Sequence, residues 1–99
     1  MFTTEEILQM FANRMKDSMV AGPAHVAMFL SFVHLYQHQH AHPIKIYRRT
    51  VMDACKIKGK TTFYKVLSEL KAIGLIDYEA SKNPLQGTLI YFRVKKDKT

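Results

Sequence analysis

Between Pro23 and Pro43 the chain passes through Val26, Met28, Phe29, Leu30, Phe32, Val33, Leu35 and Tyr36, with Ser31 and His34 the polar interruptions of that run. These positions fall on nearly every side of a helix, so a helix here has almost no polar face and must be covered by neighbours. The run is too short to cross a bilayer, so the cover is protein rather than lipid. A length of 99 residues is that of one domain and leaves no room for a second, catalytic one. The constraint is therefore a single domain, 1–99, wrapped around one buried helix, with a second copy as the other source of cover.

The flanking patterns supply the wrapping. Thr3 followed by Glu6 is a capping-box spacing, and Ile7, Leu8, Phe11, Met15 and Met19 recur at helical intervals, which predicts an amphipathic helix over about 4–20. Gly22 and Pro23 open the second helix, with proline where a missing N–H costs nothing, and Pro43 stops it. Ile44 to Tyr47 alternates and predicts a short strand. Thr50 and Asp53 repeat the capping spacing, which predicts a third helix over about 50–57, with Arg48 and Arg49 just before it. Lys58-Gly59-Lys60 is a turn, and a fourth helix starts near Thr61 with Phe63, Val66, Leu67, Leu70 and Ile73 on one face and Gly74 at its end. Leu75–Ala80 and Thr88–Val94 read as a hairpin around a tip at 81–87 that holds Asn83, Pro84 and Gly87. The tail 95–99 is basic and expected to fray.

Charge divides the chain. Residues 1–44 carry Arg14 and Lys16 against Glu5, Glu6 and Asp17, a balance of −1, whereas residues 45–99 carry thirteen bases against five carboxylates, a balance of +8. Segregation of this kind points to a polyanion as the partner of the second half, with the first half left to packing or dimerisation. The stripe Ile7, Phe11, Met15 and Met19 has two readings, core packing against the second helix or the seam of a homodimer formed by the N-terminal helices.

The turn Lys58-Gly59-Lys60, the helix Thr61-Thr62-Phe63-Tyr64-Lys65-Val66-Leu67-Ser68-Glu69-Leu70 and the exit Lys71-Ala72-Ile73-Gly74-Leu75-Ile76 into a hairpin resemble a winged helix-turn-helix DNA-binding domain over about residues 23–94. Within that group the chain looks most like small regulators or replication proteins of mobile elements. The resemblance implies a mostly α fold with a small β-hairpin and an added N-terminal amphipathic helix over 1–22. It also implies that the fourth helix reads a major groove, and that the hairpin tip is the wing.

The residues make the same case on their own chemistry. Thr61, Thr62, Lys65 and Ser68, with Tyr64 on the flank, lie opposite the apolar face of the fourth helix and suit base edges and phosphates. Arg48, Arg49, Lys58 and Lys60 fall where a duplex backbone runs beside that helix, and Lys82, Asn83 and Gln86 at the hairpin tip are in reach of a neighbouring minor groove. The expected function is double-stranded DNA binding in transcriptional control or mobile-element replication. The alternatives are a protein-docking module that uses the same basic surface or the apolar helices, and a histidine-based metal-responsive regulator.

Other constellations are weaker. His34 and His38 share a helix face at i, i+4, a spacing that chelates zinc or nickel, but no Asp, Glu or Cys in the segment completes a site. No metal is expected, and His38, His40 and His42 are expected to be merely exposed. His25 reads as a polar residue at a helix end. Gly59-Lys60-Thr61 imitates the close of a phosphate-binding loop, but Ala54 stands where its first glycine belongs. Cys55 sits among apolar neighbours, the serines lack a nucleophile-elbow context and the carboxylates are scattered, so neither an enzyme nor a cofactor is expected. A lone cysteine and an N-terminus without a secretory pattern point to the reducing cytoplasm.

Overall fold

The computed structural model describes residues 2–81 and 86–94. The elements are α1 (Thr4–Met15), α2 (Pro23–Gln39), β1 (Ile44–Ile46), α3 (Arg48–Cys55), α4 (Lys60–Ile73), β2 (Ile76–Ala80) and β3 (Thr88–Phe92). The chain is thus mostly helical with a small antiparallel sheet of three strands in the spatial order β1–β3–β2. No helix among the described residues is long and apolar enough to cross a membrane.

The capping box at the start of α1 forms as expected. Glu6 N–H donates to Thr3 Oγ1 at 3.0 Å, and Thr3 N–H donates to the Glu6 carboxylate at 2.8 Å. The helix ends at Met15 rather than near 20, because Ser18 Oγ accepts from the N–H groups of Val20 and Ala21 and offers the backbone a turn instead. Met19 consequently stands in solvent at 98% exposure and is no part of the apolar stripe. The rest of that stripe is core: Ile7 is buried, and the Phe11 ring stacks on Phe29 of α2 with 4.4 Å between centroids.

Pro23 opens α2 as expected, while the helix stops before Pro43 is reached, at His40, whose left-handed backbone has φ of 52°. His25, Met28, Phe29, Phe32, Val33 and Tyr36 are buried, which leaves an outer row in solvent that includes Val26 and Leu30. Within one chain, neighbours therefore cover only part of α2. Phe29, Phe32 and Tyr36 bridge the layers, with Phe29 and Tyr36 set edge-on against Phe92 of β3.

The inner face of the sheet holds Ile44, Ile46, Ile76, Ile90 and Phe92, with Ile44 opposite Ile90 and Ile76 opposite Phe92. Gln39 covers the outer edge of β1: its amide N–H donates to the Lys45 carbonyl at 2.7 Å and its carbonyl accepts from Lys45 N–H at 3.0 Å. His42 is also structural rather than exposed. It is half-buried, its Nε2 accepts from Phe92 N–H at 2.8 Å, and burial holds its pKa below the usual histidine value.

A last long-range tie sets α4 against α2. His25 is 7% exposed; its Nδ1 accepts from Gly22 N–H at 3.0 Å, so Nε2 carries the proton donated to the Glu69 carboxylate at 2.9 Å. One imidazole caps a helix start and anchors the neighbouring helix.

Candidate nucleic-acid interface

Two helix starts and the connection between them build the basic surface. α3 begins at Arg48, so Arg48 and Arg49 form its first turn instead of preceding it, and the Thr50–Asp53 cap does not form. The cap position is Tyr47, whose side chain makes no capping bond. The end of α3 is fixed by Lys56, left-handed at φ of 60°, which lets Ile57 N–H donate to the Met52 carbonyl at 2.9 Å while the Ile57 side chain turns into the core. Lys58 and Gly59 complete the turn, and α4 starts at Lys60, one residue earlier than expected, with Gly59 as an extended cap that has no side chain to offer.

An open cleft of about 600 Å³ lies across this corner, floored by Met52 and Ile57. Arg48, Arg49, Lys56, Lys58 and Lys60 line it against one carboxylate, Asp53. Four of the five cations are those expected from the sequence. Lys56 is new: the spacing predicts a helix running through it to residue 57, and nothing in the composition marks a lysine for a left-handed bend.

The outer face of α4 is as the spacing implied. Thr61, Thr62, Tyr64, Lys65 and Ser68 are exposed, and Phe63, Val66, Leu67 and Leu70 face the core. Tyr64, 45% exposed, is held by α3: the Arg48 guanidinium donates to its hydroxyl at 3.2 Å and sits 6.0 Å from the ring centroid. Farther along α4, Lys71 pairs with Asp77 at 3.3 Å, and that ammonium, together with the Tyr78 N–H, keeps the Asp77 carboxyl below the usual carboxylate range. Among the described residues, the α4 cations that make no ion pair, Lys60 and Lys65, therefore lie in its N-terminal half, beside the cleft.

The base of the hairpin tip is tied to the same corner. Gly87 has φ of 75°, and a Cβ there would lie 2.6 Å from the Ile46 carbonyl and 3.1 Å from the Tyr47 ring, so the chain passes over the start of α3. Gln86, next to it, is exposed and accepts from the Ser81 hydroxyl at 3.0 Å. Lys82 and Asn83, the other expected tip contacts, lie outside the described residues, as does the tail 95–99. Tyr47, 46% exposed beside Arg48, adds an aromatic face.

Cys55 is half-buried, and burial pushes its thiol pKa up, opposite to what nucleophilic chemistry requires. Among the described residues no group of three or more His, Cys, Asp or Glu side chains is placed to hold a metal ion. No protein-family model matches the chain, and neither a curated protein nor a solved structure matches it.

Proposed function

We propose that this protein binds double-stranded DNA in the manner of a winged helix-turn-helix. In this reading α3 and α4 are the helix-turn-helix, α4 enters a major groove, and the β2–β3 hairpin is the wing. The element order and the placing of β3 between β1 and β2 support that assignment.

The observation that carries it is the cleft of five cations and one carboxylate at the foot of α4. A phosphate backbone is the ligand that repays such convergence, since each neutralised phosphate releases condensed counterions. The neighbouring outer face supplies short hydroxyl donors, Thr61, Thr62 and Ser68, for base edges, and one cation, Lys65, for a phosphate. Arg48 has two tasks, on the backbone and on the orientation of Tyr64. The proposed role is transcriptional control or the control of mobile-element replication.

The test is fluorescence anisotropy with a labelled random duplex and its single strand, titrated at several salt concentrations. Duplex binding that weakens steeply with salt and is roughly 60-fold weaker at 0.1 M salt in a Lys60→Ala, Lys65→Ala double variant supports the reading. Absence of binding to either strand form at low salt refutes it.

A further inference from the structure

The row of α2 left in solvent ends in a chelating pair. Val26, Leu30, His34 and His38 follow one another at i, i+4 along the helix, all four exposed, Leu30 at 46%. Residues four apart stand one above the other, and such rows are the ridges by which helices pack on each other. The two imidazoles stack, with 17° between planes and 6.2 Å between centroids, so a nitrogen of each reaches a common point once the rings turn out of the stack.

A zinc ion held tetrahedrally by both rings, at Zn–N of about 2.0–2.1 Å, sets their centroids about 5 Å apart. Bringing the rings about 1 Å closer and turning them until both planes contain the ion takes rotations about χ1 and χ2, which are open to exposed histidines. The pair fills two of the four positions that zinc prefers, and no third His, Cys, Asp or Glu of the described residues joins it. A second copy crossing at the same ridge brings two more imidazoles to the same point, related by a twofold axis through the metal.

We infer that His34 and His38 form half of a four-imidazole zinc site shared between two copies of this chain, so that zinc dimerises the protein through α2. The site is independent of the basic cleft, and its test does not involve DNA.

The experiment is sedimentation velocity of the untagged, chelator-treated full chain, titrated with zinc and read alongside metal content. The expected result is a monomer without metal that becomes a dimer at about half an equivalent of zinc per chain, with cobalt in its place giving the absorption of a tetrahedral site. Alanine at either His34 or His38 is expected to abolish the dimer, whereas His40→Asn, a side chain that tolerates the left-handed backbone, leaves it intact. Circular dichroism of each variant confirms that it is folded. Failure to bind zinc, one zinc per chain with no change in mass, or a dimer that survives in chelator or in the His34→Ala variant overturns the inference.

Discussion

Replacing Lys58 and Lys60 together by alanine sets two properties moving in opposite directions. Both residues are exposed and line the cleft with Arg48, Arg49 and Lys56, and Lys65 follows on the outer face of α4. If all six cations neutralise phosphates, log K falls with log salt at a slope of roughly −0.9 per contact, near −5 for the wild type and near −3.5 for the variant. At 0.1 M salt the two lost contacts correspond to roughly a 60-fold weaker complex. Lys60, however, occupies the first turn of α4, where a cation faces the positive end of the helix dipole and no acidic residue offsets it. Its removal relieves about 0.3–1 kcal/mol, an upward shift in Tm of a few degrees for a chain of this size. Anisotropy titrations at four salt concentrations and a thermal melt read the two effects separately. A slope that stays at the wild-type value, or a melt that falls in step with affinity, refutes the reasoning, because either result places these lysines in the structure rather than on the ligand.

Three further outcomes follow from the fold. Phe29→Ala empties a fully buried site stacked on Phe11 and set against Phe92, with an expected loss of about 3–5 kcal/mol in urea unfolding. Glu69→Ala leaves the buried His25 Nε2–H without its acceptor and is expected to cost about 1–3 kcal/mol, with Glu69→Gln, which keeps an acceptor, costing less. His42 is held below its ordinary pKa of 6.5, so the unfolded chain binds the proton first as pH falls. The stabilisation that follows from this is complete above 6.5 and declines as pH drops toward the depressed folded value; the difference in urea midpoint between wild type and His42→Leu should narrow over that window.

Much of the fold is legible in local chemistry, and the departures have identifiable causes. The Thr3–Glu6 box, Pro23 at a helix start, Gly74 at a helix end with φ of 90° and the apolar face of α4 act where their patterns place them. Helix ends decided by a competing side chain or a non-glycine left-handed residue do not show in a pattern. Ser18 truncates α1, and His40 and Lys56 close α2 and α3 in a conformation that spacing rules reserve for glycine. The Thr50–Asp53 spacing misled because β1 delivers the chain to Tyr47 already extended, and Val51 N–H donates to the Tyr47 carbonyl at 3.1 Å, which fixes the first turn two residues earlier. In the candidate interface, charge and spacing located four of the five cleft cations, and the fifth depended on where one bend falls. The roles of His25 and His42 rest on partners 44 and 50 residues away, a distance over which no sequence window reports.

The three helix starts that bear charge show where the fold and its proposed ligand compete. α1 follows the rule for stability, with a complete capping box and Glu5 and Glu6 in its first turn. α3 and α4 do the reverse: neither has a side-chain cap or an acidic residue in its first turn, and they open with Arg48 and Arg49 and with Lys60. Cations at the positive end of a helix are unfavourable on their own, and uncapped N–H groups remain open to a partner from outside the chain. A phosphate set between the two starts would supply both the missing acceptor and the missing negative charge. It follows that α3 and α4 should be the part of the chain most stabilised by a bound polyanion. Hydrogen exchange with and without duplex should then slow the amides of residues 48–52 and 60–64 while leaving those at the start of α1 unchanged. Equal protection of all three helix starts would mean that the duplex stabilises the fold as a whole and that the uncapped ends are no binding site.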